Sequence, residues 1–327
     1  MELSDQGPQV LRGIGDDAAV VRARPFCVTS VDAAVEGVHF RMRDGWMTPR
    51  EVGWRSLAAA LSDIAAMGAD PGEAYLTLAL PTGLDEQRAL AIVRGAHELA
   101  RRSATTIAGG DVVSAPALML AFAVVGWADS PERVVAREGA LPGDIVGVTG
   151  ELGGAGAALA MLEATSEHGV EGAAARHGPA TAALASCLER LRTPVPRLAE
   201  GRVLAACGAH AMIDISDGLA TDAAHLGRAS GVSVTIELDA LPVHAGVYDA
   251  AERFGADPVR LAAAAGEDYE LCACVPASAR ATVEDALRDA GAVPITWVGE
   301  VIAGPPGVAL HDADGEEREL RGFEHRW

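Results

Sequence analysis

The chain contains no lysine; all 26 of its basic residues are arginines. That absence excludes a Walker A loop, the strand lysine of protein kinases and any lysine Schiff base. A phosphate ligand would have to be met by arginine, backbone amides or metal ions. Aromatic residues are scarce, at 4% against 50% hydrophobic residues, so the cores must be built from Ala, Val, Leu and Ile. The apolar runs are short. "PALMLAFAVVGWA" at 116–128 falls well below the ~20 residues that cross a bilayer as a helix. The opening "MELSDQGPQVLRG" has no basic region followed by an apolar one, so no signal peptide is expected and the expected location is cytoplasmic. The five cysteines, Cys27, Cys187, Cys207, Cys272 and Cys274, form no C-x-x-C pair. Their odd number and apolar neighbours predict buried thiols rather than a disulfide framework.

A formal charge of −20 predicts a surface that repels nucleic acid and anionic lipid. With 327 residues the chain is long for one core and two domains are expected. The first half alternates strands and helices. A strand is read at 26–32. Thr48-Pro49-Arg50-Glu51 then reads as a capping box with Pro at the first helical position, opening a helix that ends at Gly68. "EAYLTLALP" is a strand, "DEQRALAIVRGAHELARRS" an amphipathic helix, and "ATTIAGGD" and "ALMLAFAVVGWA" two more strands. That order predicts a sheet with helices on one face. "REGALPGD" at 137–144 is turn-rich and marks the expected boundary, giving domains 1–138 and 139–327. The second half reads as "IVGVTG" (strand), a helix-rich stretch to about Gly208, and then a further α/β series from "AMIDIS" to "VPITWVGEV".

Carboxylates recur beside strand ends, glycines and helix starts: Asp16 and Asp17, Asp32, Asp63, Asp111, Asp214 and Asp217. Taken singly, each reads as a helix cap or turn residue. Asp63 resists that reading, since it lies inside a predicted helix among Leu61, Ile64, Ala65 and Ala66, where Asp has poor propensity. Acids gathered in one place raise each other's pKa values, and divalent cations relieve the conflict. Mg²⁺ bridges one or two carboxylates to phosphate oxygens and so fits this donor set. These carboxylates are therefore expected to converge on one pocket. Asp222 is expected to face solvent. "GIGDD" has half of a dinucleotide fingerprint without its spacing, and "GELGGAGAAL" is given no site role.

These stretches resemble the thiamine-monophosphate kinase family, whose wider superfamily includes aminoimidazole ribonucleotide synthetase, selenophosphate synthetase and HypE. The motifs are "GIGDDAAV", "SVDAAVEGVHF", "LSDIAAMGADP", "GGD", "IDISDGL", "GEDYEL" and "GFEH", spread from residue 13 to residue 325. The resemblance implies a two-domain PurM-like α/β fold of α+β type, with the N-terminal sheet forming a homodimer. It implies ATP-dependent conversion of thiamine monophosphate to thiamine diphosphate with Mg²⁺. By motif, Asp17, Ser30, Asp32, Asp63, Asp111, Asp214 and Asp217 would be metal ligands, with Val31 able to contribute only its backbone oxygen. Gly110, Asp111, Arg137 and Ser216 would contact ATP. His39, Glu267 and Phe323 would contact the thiamine phosphate, with either Phe323 or Trp327 stacking on its ring. No side chain is assigned as a general base, because the acceptor is already anionic. A HypE-like synthetase and a non-catalytic Mg-nucleotide sensor are the alternative readings.

Overall fold

Helix α1 (Pro49–Ala66) begins where the capping box predicts. The Thr48 N–H donates to Glu51 Oε2 at 2.7 Å, and the Glu51 N–H donates to Thr48 Oγ1 at 3.3 Å. Two N–H groups without helical partners are satisfied reciprocally. The computed structural model describes residues 7–42, 45–164 and 182–322. It divides into two compact units: 1–64, 69–134 and 192–198 form the first, and 65–68, 135–191 and 199–327 the second.

In the first unit, β1 (Val10–Arg12) and β2 (Val20–Val21) form a small antiparallel pair. The main sheet contains β3 (Phe26–Val35), β4 (Asp70–Leu80), β5 (Thr106–Ser114) and β6 (Met119–Ala128), in the order β3-β6-β4-β5. Only β4 and β5 run parallel. Helix α1 and helix α2 (Glu86–Arg102) cover one face. The two helices meet almost backbone to backbone. A Cβ on Gly53 would lie 1.8 Å from the Ile92 carbonyl oxygen, and one on Gly95 would lie 1.8 Å from that of Arg50. Leu57, Leu61 and Ile64 of α1 and Leu120 and Phe122 of β6 are all fully buried. With so few aromatics, close helix approach of this kind raises packing density.

Among the described residues, no helix of the first unit covers the opposite face of this sheet. Register puts Val31, Ala123, Tyr75 and Gly109 in one row across it, and Ala33, Ala121, Thr77 and Asp111 in the next. Val31 is 71% exposed. Cys27 belongs to the same alternating face and is exposed, which corrects the expectation of a buried thiol there. Strand alternation decides it. Cys187, Cys272 and Cys274 are buried as expected.

The second unit holds a six-stranded sheet, β12-β9-β11-β7-β10-β8. Its strands are β7 (Asp144–Thr149), β8 (Ala211–Ile215), β9 (Ser233–Glu237), β10 (Glu270–Pro276), β11 (Ile295–Ile302) and β12 (Gly307–His311). All neighbours are antiparallel except β12 and β9. Three helices, α3 (154–164), α4 (Ala182–Arg192) and α5 (Leu198–Ala206), occupy the strand-poor stretch. Helix α6 (Leu219–Ser230) follows β8, α7 (Ala245–Phe254) and α8 (Pro258–Ala264) precede β10, and α9 (Arg280–Asp289) precedes β11. The core packs Val146, Val148, Ile213 and Ile215 from the sheet against Leu219 and Leu226 of α6.

Thr48→Ala removes one half of the capping box and is expected to lower unfolding free energy by about 1 kcal/mol. Urea titration of the wild type and variant reads this directly. An unchanged midpoint would mean that the helix start is held by something else.

Candidate functional site

Three groupings of the sequence-derived residues emerge, two in the first unit and one in the second. The first joins β3 to α1. Alternation turns Ser30 and Asp32 toward the helices, and Asp63 comes down from α1 to meet them. The Ser30 hydroxyl donates a hydrogen bond to Asp63 Oδ2. Asp32 Oδ1 accepts from the Ala33 N–H at 2.7 Å. Burial holds the Asp32 carboxyl above the usual carboxylate range; the charge of Asp63 adds to this, while Ala33, His39 and Arg55 oppose it. His39 Nδ1 accepts from the Val35 N–H at 3.1 Å, so the neutral ring carries its proton on Nε2. Arg55, itself buried, was not among the expected residues. Its signal was available: a guanidinium within the apolar helical run "GWRSLAAALSD" is as anomalous as Asp63.

The second grouping is a cavity of about 450 Å³ lined by Gly13 to Ala19, Tyr75, Ala108, Gly109 and Gly110. It brings Asp17 and Gly110 together, and adds Tyr75. Gly110 cannot carry a side chain, because a Cβ would stand 2.0 Å from the Leu76 carbonyl oxygen. Asp111 is exposed, and its Oδ1 accepts from the Val112 N–H at 2.8 Å. It lies on the edge strand β5, whereas Asp32 lies on the opposite edge strand β3. Register aligns Asp32 with Phe122, Leu76 and Gly110, three strand spacings or about 14 Å across the sheet.

The third grouping surrounds the turn from β8 to α6. Asp214 is the penultimate residue of the buried strand, Ser216 and Asp217 form the turn, and Gly218 precedes the helix without a side-chain cap. Asp222 corrects an expectation: it is buried rather than solvent-facing, at 3% exposure. Its Oδ2 accepts from the N–H groups of Ser216 and Asp217, at 3.1 Å each. An acid one turn into a helix can reach back to the preceding turn, and helical periodicity alone does not reveal that. Burial, reinforced by Asp214 and Asp217, pushes its pKa up to about 8. The loop containing Glu267 closes on the same turn, with the Glu267 N–H donating to the Ser216 carbonyl oxygen at 2.8 Å. Gly322 also reaches it, donating to Thr221 Oγ1 at 2.9 Å. Phe323 and Trp327 lie outside the described residues. Arg137 is exposed; its carbonyl oxygen accepts from Ser230 Oγ at 3.1 Å.

Among the described residues, no three His, Cys, Asp or Glu side chains form a group able to hold a metal ion. The donor chemistry nevertheless suits a hard cation. Oxygen donors predominate, and Asp32 and Asp222 each have a raised pKa to which a neighbouring carboxylate contributes. Mg²⁺ commonly draws only one or two carboxylates from protein and completes its shell with water and phosphate.

Comparison with known proteins agrees with these motifs. The family model for AIR synthase related protein, N-terminal domain, matches residues 15–128, and that for the C-terminal domain matches 142–312. The thiamine-monophosphate kinase of Mycobacterium tuberculosis (strain CDC 1551 / Oshkosh) is 34% identical over 316 residues, covering 95% of this chain and 84% of the relative. That of Escherichia coli (strain K12) is 33% identical, covering 96% and 91%. The chain belongs to the thiamine-monophosphate kinase family. The crystal structure of the Stenotrophomonas maltophilia K279a thiamine-monophosphate kinase superposes with a TM-score of 0.81 at 32% identity, covering 95% of this chain and 93% of the other. AaThiL complexed with AMPPCP and TMP superposes at 0.78 with 27% identity, covering 92% and 87%. Hydrogenase maturation protein HypE in complex with ATP is 19% identical with a TM-score of 0.71, covering 95% and 89%, and shares the fold.

One buried acid beside the third grouping predicts a pH dependence of stability. Asp268 Oδ2 accepts from the Gly153 N–H at 2.8 Å, and Oδ1 has no hydrogen-bond partner. Burial pushes its pKa up to about 7. A carboxyl whose folded pKa exceeds its unfolded value favours folding while protonated, and that contribution is lost as pH rises through the folded pKa. Asp268→Asn removes the titration. The melting temperature of the wild type minus that of the variant is expected to fall between pH 5 and pH 8; thermal unfolding at both values checks it, and a constant difference refutes the assignment.

Proposed function

We propose that the protein phosphorylates thiamine monophosphate to thiamine diphosphate with ATP as phosphoryl donor. The observation that carries this reading is the family's motif set in folded position: the "GIGDD" loop facing Gly109 and Gly110 across a cavity, the Ser30–Asp63–Asp32 cluster, and the "GEDYEL" loop against the "ISDG" turn. AaThiL, which shares the fold at 27% identity, was captured with AMPPCP and TMP. That pairing of a nucleotide with a phosphate-bearing second ligand supports a two-substrate transfer here.

Asp32 and Asp63, with the Ser30 hydroxyl, would hold Mg²⁺, as would Asp17 and Asp111, and Asp214 and Asp217; Val31 would add only a backbone oxygen. Bound Mg²⁺ supplies charge neutralisation between phosphate groups. The chain's own groups do the remaining work. Gly110, lacking a side chain, lets a phosphate approach the backbone, and Ser216, Asp111 and Arg137 complete contact with the nucleotide. His39, Glu267 and Phe323 would hold the acceptor. The acceptor oxygen is already ionised near neutral pH, so no residue need remove a proton, and the transfer is direct and in line. This explains how a chain without lysine can act on two phosphate compounds.

The uncovered face of the first unit's sheet supports the homodimer. A second copy laid on Val31, Ala33, Ala121 and Ala123 would bury a patch whose side chains are small and apolar. Val31→Arg is expected to shift the molecular mass by light scattering from dimer to monomer, and a wild type already monomeric would remove this part of the reading.

The functional test is an ATP assay with thiamine monophosphate, with and without Mg²⁺, reading out thiamine diphosphate. Product is expected only with the metal. Asp63→Asn is expected to lower turnover at least a hundredfold while leaving the thermal transition in place. Full activity in that variant would overturn the metal assignment. ATP and Mg²⁺ binding with no diphosphate formed would favour a sensor, and ATP turnover with a carbamoylated peptide would favour a synthetase.

A further inference from the structure

Three described residues other than glycine have positive φ, and two of them flank Asp268: Glu267 at 69° and Tyr269 at 52°. A bulky side chain seldom adopts this region, and such strain persists only where surrounding contacts over-determine it. Those contacts are present. The Glu267 N–H donates to the Ser216 carbonyl oxygen at 2.8 Å, and the Tyr269 N–H to that of Ile215 at 2.9 Å. Between them, the buried Asp268 carboxyl is tied to the Gly153 N–H at 2.8 Å. The loop is thus fastened on both sides and in the middle. In this conformation the Tyr269 hydroxyl donates to Glu267 Oε2 at 3.0 Å. Tyr269 is 8% exposed, whereas Glu267 is half-buried. A rigid, largely hidden phenol therefore orients a carboxylate that can still be reached.

We propose that Tyr269 is a positioning residue for recognition of the phosphoryl acceptor: its hydroxyl holds the Glu267 carboxylate in one orientation, and that carboxylate reads a cationic or hydrogen-bond-donating group of the acceptor's organic part. This rests on the reading of the chain as a thiamine-monophosphate kinase with Glu267 in the acceptor site. Charge separates the two substrates. A carboxylate repels the polyphosphate of a nucleotide, whereas thiamine monophosphate carries a cationic ring and an amino group beside its phosphate. A hydrogen bond to an ionised group is stronger than a neutral one, so its loss should be measurable.

The experiment is steady-state kinetics of the wild type, Tyr269→Phe, Glu267→Gln and the double variant, varying ATP and thiamine monophosphate in turn, with melting temperatures alongside. Tyr269→Phe removes one oxygen and leaves the ring in place. It is expected to raise KM for thiamine monophosphate about tenfold while kcat and KM for ATP stay within twofold. The double variant is expected to be no worse than Glu267→Gln, because the hydroxyl acts through the carboxylate. An unchanged acceptor KM in Tyr269→Phe, with a raised one in Glu267→Gln, overturns the role of Tyr269 and leaves that of Glu267 standing. An unchanged acceptor KM in Glu267→Gln overturns both. Parallel rises in the two KM values, or a fall in kcat with a lowered melting temperature, mean a structural role and also overturn the proposal. A wild type that forms no thiamine diphosphate removes the functional reading itself, and the proposal with it.

Discussion

Carboxylates held against carboxylates impose the constraint to which both units answer. Asp32 stands by Asp63 in the first, and Asp222 by Asp214 and Asp217 in the second, and in each case burial, with a neighbouring carboxylate adding to it, holds an acid above its ordinary pKa. Such an arrangement is unfavourable unless something offsets the charge. In the first unit the offset is partial and comes first from the Ala33 N–H and then from side chains. Arg55 and His39 oppose the shift at Asp32, and the Ser30 hydroxyl donates to Asp63. In the second, the N–H groups of Ser216 and Asp217 converge on Asp222. Neither set of donors brings Asp32 or Asp222 back to normal. That leaves a demand for positive charge at both acids, in a chain with no lysine and a formal charge of −20.

The same demand explains why the scaffold is rigid where the acids are placed. Asp63 sits on a helix whose start is fixed by a capping box and whose crossing with α2 allows no side chain at Gly53 or Gly95. Asp214 sits on a strand, paired through Leu271 to β10. Loops would let repelling carboxylates drift apart, and an ion would then have to gather them at the expense of chain entropy. Fixing them beforehand moves that cost into folding, where the buried cores of the two units can offset it.

Much of this was legible in the sequence because the signals were local. Thr48, Pro49 and Glu51 specify a helix start through neighbouring atoms. Asp63 was conspicuous because an acid in an apolar helical run contradicts propensity. Asp222 and Cys27 were misread for the opposite reason. Whether Asp222 turns outward or reaches back to the Ser216–Asp217 amides depends on where β8 delivers the chain, and the exposure of Cys27 depends on which sheet face receives the helices. Strand β12 and helix α8 went unrecognised because "GPPG" reads as a turn and α8 has only seven residues, three of them alanine, too few to show a clear apolar period. Backbone strain was also invisible: nothing in "GEDYEL" announces left-handed φ at Glu267 and Tyr269.

The strain and the charge are connected. The loop that bends at Glu267 and Tyr269 is hydrogen-bonded to the carbonyl oxygens of Ile215 and Ser216, while the N–H groups of Ser216 and Asp217 point to Asp222. The turn between β8 and α6 is therefore held through its carbonyls by one element and through its amides by another. Relaxing the φ angles of the loop would draw on the bonds to Ile215 and Ser216, and removing Asp222 would release the amides on the other side. The backbone of Asp217 is therefore fixed on this turn beside Asp222, while its side chain stays partly exposed. Burial and the neighbouring carboxylates together raise the pKa of Asp222 in this fixed turn, and a proton or a cation would relieve that.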